Sequence, residues 1–165
     1  MEKLPIRPAM LLAGMAVAGL GIGAILWIQR GAHIELKGSV LKARTIGLEP
    51  QSSIAVLDFR FTNPSDYPFV VRGVEVLVDD GKQQVAGESV AEVDARRLFE
   101  YYPALGQKYN DSLIARVKIP PRTTMDRMIC VRFPVPEGQL TARKRFIIKV
   151  EDVDGPVAEI LEQAK

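Results

Sequence analysis

The chain has 165 residues, of which 47% are hydrophobic, 25% charged and 7% aromatic, with a formal net charge of +2. That length allows one ordinary domain plus an appendage, and the near-neutral charge excludes a nucleic-acid binder held mainly by phosphate neutralisation. One cysteine, Cys130, and one histidine, His33, exclude an intramolecular disulfide and a zinc site of His and thiolate ligands, and with them most His-dependent hydrolases.

Residues 1–7 form a short N-terminal tail carrying Lys3 and Arg7. Residues 8–29 then form 22 consecutive uncharged positions. As a helix they extend about 33 Å at ~1.5 Å per residue, enough for a hydrocarbon core of ~30 Å. Trp27 falls near the far end, at headgroup level, and Pro8 suits a first helical turn. The run is longer than a signal-peptide core and lacks a small-x-small cleavage site, so it reads as an uncleaved signal-anchor and a single-pass transmembrane helix. Gly14 and Ala18, then Gly19 and Gly23, are small residues four apart, the spacing that lets two helices approach closely in lipid. Arg30, Lys37, Lys42 and Arg44 favour a cytoplasmic domain on a simple count. The last three read as part of a strand, so the expected orientation is extracytoplasmic, with the cytoplasmic face as the alternative.

From residue 30 to residue 155 the pattern is one of strands. In the run 54–61, Ala55, Leu57, Phe59 and Phe61 alternate with neighbours that become Asp58 and Arg60, the period of a strand with one face on a core. Val70, Val74, Val76 and Val78 fall on one side of the next strand, Ile129, Val131 and Phe133 on one side of 125–133, and Phe146, Ile148 and Val150 on one side of 145–151. Less regular strands are expected at 34–41, 84–93 and 113–119. Asn63-Pro64-Ser65-Asp66 and Asp80-Gly81 are turn signals. Seven strands and no interleaved helices predict an all-β fold, a seven-stranded antiparallel immunoglobulin-like sandwich behind the transmembrane helix.

One stretch departs from this. Residues 94–102 read as a short helix capped by Asp94 and stopped before Pro103. Its aromatics have two readings: Leu98, Phe99 and Tyr102 plug an end of the sandwich, or Arg96, Arg97, Tyr101, Tyr102 and Tyr109 form a surface for a partner. Residues 156–165 are a tail in which Val157, Ile160 and Leu161 have helical spacing.

The run 57–69, Leu-Asp-Phe-Arg-Phe-Thr-Asn-Pro-Ser-Asp-Tyr-Pro-Phe, followed by valine alternation to Asp80-Gly81, resembles the late-embryogenesis-abundant type 2 (LEA-2/WHy) β-sandwich. The later half, with Pro120-Pro121 and the ending Val131-Arg132-Phe133-Pro134-Val135-Pro136, is similar to bacterial immunoglobulin-like domains of the FxLYD and telokin-like types. The resemblance implies a membrane-tethered, non-enzymatic module with no catalytic residues to carry over. The Arg143-Lys144-Arg145 run falls outside that pattern.

Chemistry-bearing constellations are absent from the sequence. Cys130 lies in a strand between Ile129 and Val131, with no His or second Cys nearby. Asp152-Val153-Asp154-Gly155 begins like a calcium loop, but the twelfth position is Gln163 where a bidentate Glu is needed. Asp79 and Asp80 read as an acidic turn. The segment 33–165 has nineteen basic and nineteen acidic residues, so Arg143-Lys144-Arg145 reads as a solvated loop, with contact to anionic headgroups as the alternative. The expected function is therefore a membrane-anchored, non-catalytic module for protein binding or scaffolding, without cofactor or metal. Its expected partners are the bilayer and a membrane or extracytoplasmic protein, not nucleic acid. One alternative is an accessory subunit held in a larger membrane complex by Gly14, Ala18, Gly19 and Gly23. Another is a metal-delivery or assembly factor, which needs a Cys-x-Cys or Met/His cluster that the sequence lacks.

Overall fold

In the computed structural model, residues 19–20 and 35–163 are described. Eight strands follow in chain order: β1 (Lys37–Glu49), β2 (Ser52–Thr62), β3 (Phe69–Asp79), β4 (Gln84–Ser89), β5 (Lys118–Ile119), β6 (Thr124–Phe133), β7 (Arg145–Asp152) and β8 (Val157–Leu161). A helix, α1 (Glu92–Tyr101), and a 3-10 turn, Pro103–Leu105, lie between β4 and β5, and a one-turn helix, α2 (Glu137–Thr141), between β6 and β7.

The sandwich expected from sequence is not what forms. The strand order is β4-β6-β2-β1-β8-β7-β3, with β4 also paired to β3, so seven strands close into a barrel and β5 adds to β3. Two seams account for the closure. β4 pairs Gln84–Gly87 with β3 and then Glu88 and Ser89 with β6, so one short strand bridges what would be two separate sheet edges. β8 joins β1 in parallel through Ser39 and Leu161, which makes the barrel mixed rather than antiparallel. Residues 157–161, whose spacing suggested a helix, alternate instead: Ala158 and Ile160 are buried in the interior while Val157 and Leu161 face outward.

The interior is packed with side chains. Phe59, Phe61, Phe69, Phe133 and Phe146 are fully buried there with Leu57, Val76, Ile129, Val131, Ile148 and Val150. The alternation in β2, β6 and β7 is the one the sequence predicts. In β3 it breaks, because a bulge between Val71 and Gly73 shifts the register. Phe69 and Val71 point inward before the bulge and Val74, Val76 and Val78 after it, so Val70 lies on the opposite side from the other valines. One extra residue reverses a strand's faces.

At one end of the barrel, here the proximal end, β1, β6 and β8 begin and the turn expected at Asn63-Pro64-Ser65-Asp66 forms. Asn63 is fully buried. Its amide nitrogen donates to the carbonyls of Tyr67 (2.8 Å) and Pro120 (3.2 Å), and its Oδ1 accepts from the Ser65 N–H (3.1 Å). One side chain thus joins the loops 63–68 and 120–123.

Most of the transmembrane helix expected over 8–29 lies outside the described residues, as do Gly14, Ala18, Gly23 and His33. Gly19 and Leu20 are helical and exposed. Among the described residues, no helix is long and apolar enough to cross a membrane.

Candidate binding surface

The stretch between β4 and β5 is an excursion over the outer wall of the barrel. Its N-cap is Ala91, three residues before the Asp94 that the sequence suggested, and supplies no side-chain cap, so Asp94 belongs to the first turn with Glu92. Two acids there suit the positive end of the helix dipole. The helix stops at Tyr102, whose φ of −120° and ψ of 85° lie outside the helical region, which a following proline, here Pro103, disfavours.

Ala95, Leu98 and Phe99, at helical spacing, and Leu105 from the 3-10 turn pack on Ile46, Ile54, Val56, Met128 and Cys130, which project from the outside of β1, β2 and β6. This second apolar layer explains why β2 is buried on both faces from Ser52 to Phe59. The aromatic segment plugs no end of the fold, and its side chains divide between wall and solvent. Leu98 and Phe99 go inward, onto the outer wall rather than into a barrel end, whereas Tyr101 is 77% and Tyr109 62% exposed, with Tyr102 at the margin. Arg96 and Arg97 are exposed on α1 beside Tyr101. Arg97 makes a 3.5 Å ion pair with Asp94.

The return of the excursion is held by polar groups that sequence reasoning missed. Arg44 and Asp58 form a buried ion pair across β1 and β2 at 2.5 Å. Arg44 also donates to the carbonyl oxygens of Leu105 (2.5 Å) and Gln107 (2.7 Å), and the Asn110 amide donates to the second Asp58 oxygen at 3.0 Å. The guanidinium lies 5.2 Å from the Phe99 ring centre and 5.5 Å from that of Tyr109, and the Lys42 ammonium is 5.5 Å from the Tyr109 ring. Tyr109 therefore sits over β1, in a different neighbourhood from Tyr101. Lys108 reaches Glu92 at 2.9 Å and so joins the two ends of the excursion. Burial pushes the Glu92 carboxyl up, but Ser112 and Lys108 more than reverse this and hold it below the usual range. A signal for the pair was present: Asp58 is an acid next to four consecutive buried residues, 54–57, and a buried carboxylate needs a partner.

The other candidates resolve into structural roles. Arg143 is buried, stacks on the Phe146 ring at 4.3 Å and makes a bidentate pair with Glu162 (2.6 and 2.8 Å), while Arg145 reaches Asp79 at 3.3 Å. The basic run is thus internally paired, leaving Lys144 exposed. Asp79 and Asp80 organise the β3–β4 turn: Asp79 accepts from the Gly81 N–H, and Asp80 from those of Lys82 and Gln83, all at 2.8 Å. Gly81 supplies the positive φ, 89°, that this turn requires. The N–H bonds from Gln83 and Lys82 lower the Asp80 pKa. Asp152 accepts from the Asp154 N–H at 3.2 Å, a local turn rather than a calcium loop. Among the described residues no group of three or more His, Cys, Asp or Glu side chains is placed to hold a metal.

Cys130 is buried under α1, and burial pushes its thiol up to about 12 against the opposing pull of Arg44. Reactivity requires the thiolate. Native protein at pH 7.5 should therefore resist iodoacetamide for hours and react fully once unfolded, as read by intact mass. Rapid native labelling would mean that the excursion does not cover the wall.

An open depression of about 560 Å³ lies on the outer face of β3, β7 and β8, lined by Glu75, Lys149, Glu151 and Glu159 among others. Its charges are partly matched by the pairs Arg72–Glu151 (3.1 Å) and Lys149–Glu159 (4.0 Å). Set against known proteins, the chain matches no family model and no curated relative. The likeness of residues 57–69 to LEA-2 domains rests on those residues, and the closed barrel departs from the sandwich it implies.

Proposed function

We propose that this protein is a non-catalytic binding module: a side-chain-filled barrel, tethered to a bilayer through residues 8–29, that offers the outer face of α1 to a protein partner. The observation that carries the reading is the division of the excursion. Ala95, Leu98, Phe99 and Leu105 are spent on the wall, while Tyr101, Arg96 and Arg97, residue types enriched at binding hot spots, are left exposed on one helix together with Val93. The Lys108–Glu92 pair and the Arg44 guanidinium against the Phe99 ring hold that helix in place before any partner arrives, which lowers the entropic cost of docking. The tether is supported by the uncharged length of 8–29.

A photo-crosslinking amino acid at Tyr101, in cells expressing the full chain, should capture one discrete partner, and Arg96→Ala/Arg97→Ala should reduce the yield at least several-fold. The same crosslinker at Lys82, in the β3–β4 turn, should capture far less. Equal yields from the two positions would defeat the assignment of this surface.

A further inference from the structure

The strand expected from sequence at 113–119 forms only at its last two residues, as β5. We propose that the residues before it, 111–117, are a strap that opens and closes while the barrel stays folded, and that its opening bares the edges of β3 and β6 on either side.

The strap lies where the barrel wall has no strand. On β3, β5 pairs with Phe69 and Val70, and β4 pairs with Val76–Asp79. On β6, β4 reaches only Val131 and Arg132. Ser89 marks where the ladder stops. The β3–β4 register places it opposite Val74, but it pairs with Val131 instead and reaches the Val74 carbonyl only through its hydroxyl, at 3.4 Å. In the gap the strap stands in for a strand and grips one residue on each side. The Leu113 N–H donates to the Met128 carbonyl (2.8 Å) and the Met128 N–H to that of Asp111 (3.0 Å). Across the gap, the Arg116 N–H donates to the Val71 carbonyl (2.7 Å) and the Val71 N–H to that of Val117 (3.0 Å).

This closure is light. Leu113 is the only buried residue of the strap, whereas Ile114, Ala115 and Arg116 are exposed. The seam beside it is not filled: an apolar depression of about 270 Å³ remains, lined by Val74, Val90, Leu113, Ile114, Ile129 and Cys130 among others. The backbone is also strained. Arg116 has a φ of 69°, in the left-handed region that a side chain disfavours. Arg122, the other such residue that is not glycine among those described, is held by a two-bond pair to Asp66 (2.9 and 3.1 Å), while the Arg116 side chain is exposed.

Few buried apolar contacts and exposed backbone bonds are the marks of segments that open below the free energy of global unfolding. Both ends of this one are fixed, by Lys108 on Glu92 at 2.9 Å and by β5 on β3. Opening is therefore a hinged movement of the strap and not a fraying of the whole excursion. It strips Val71 and Met128, both strand residues, of their partners, and unpaired strand edges are templates for an added strand.

The test is native hydrogen exchange of the full chain in detergent micelles, read at residue resolution by NMR over a series of low urea concentrations. The amides of Val71, Leu113, Arg116 and Met128, scattered in sequence, should exchange faster than those of Leu57 in β2 and Ile148 in β7, and with almost no dependence on urea. Gly38→Ala, which strains β1 against β2 away from the strap, should speed Leu57 and Ile148 and leave the four unchanged. Leu113→Ala removes the plug and should speed the four about tenfold or more. Arg116→Gly relieves the backbone without touching the plug and should slow them about threefold. Four amides that follow Leu57 and Ile148 in urea or in Gly38→Ala, or that ignore both strap substitutions, would show strap and wall unfolding as one and overturn the proposal.

Discussion

Asp58→Ala should destabilise the barrel by about 3–5 kcal/mol in urea unfolding, the range for removing one partner of a buried ion pair. Both side chains are nearly inaccessible, 9% for Arg44 and 6% for Asp58. The alanine leaves the Arg44 guanidinium in an apolar wall beside Phe99, with the carbonyls of Leu105 and Gln107 as its remaining acceptors, and strips the Asn110 amide of its carboxylate. The paired change Arg44→Met/Asp58→Leu is the diagnostic comparison. It removes both charges from the wall, so it should restore most of the global stability, since apolar replacements of buried pairs are often close to neutral. It cannot restore the ties to the excursion, so residues 103–111 should exchange amide hydrogens faster and Cys130 should label faster than in wild type. If the single substitution costs less than ~1 kcal/mol, the pair does not occupy a dry wall.

Gly38→Ala is expected to cost roughly 1–3 kcal/mol, the usual scale of overpacking, and to lower Tm by ~5–10 °C. A methyl group at this position would lie 2.3 Å from the Arg60 carbonyl oxygen and 2.8 Å from the Phe61 Cβ. The nearest obstacle is backbone of the neighbouring strand, which no rotamer change can move aside. Relief requires β1 to shift away from β2 next to Ser39, the residue through which β8 closes the barrel. Gly73→Ala is the control, because nothing lies within 4 Å of its added carbon. A Gly38→Ala protein as stable as Gly73→Ala would show that the strands do not approach this closely.

These two sites mark the limits of what could be read without the fold. Strand identity was legible where one face is buried in the interior and the period is two, as in β2, β6 and β7. The turns at Asn63-Pro64 and Asp80-Gly81, and a helix ending before Pro103, were legible because they depend on the chemistry of adjacent residues. Which side of the helix Arg96, Arg97 and Tyr101 occupy was left open between two readings, and the packing of Ala95, Leu98 and Phe99 on the wall leaves these three exposed. Arg44 with Asp58 did not, since fourteen residues separate them and only the β1–β2 register, placing Lys42 opposite Asp58 and Arg44 opposite Val56, brings them together.

Closure was likewise a tertiary outcome. A run such as 157–161, with Val157, Ile160 and Leu161, fits a helical stripe and a short strand about equally well, and five residues are too few to discriminate. The choice is made by β7 and β1, which offer backbone donors and acceptors on either side and leave room inside for Ala158 and Ile160. Likewise nothing local tells β4 to leave β3 for β6. Alternation says which side chains of a strand share a face, and it can be read from adjacent residues alone. Which strands become neighbours, and hence whether two sheets stay apart or join into a barrel, depends on hydrogen-bonding edges supplied by residues up to a hundred and more positions away, and so emerges only when the chain folds.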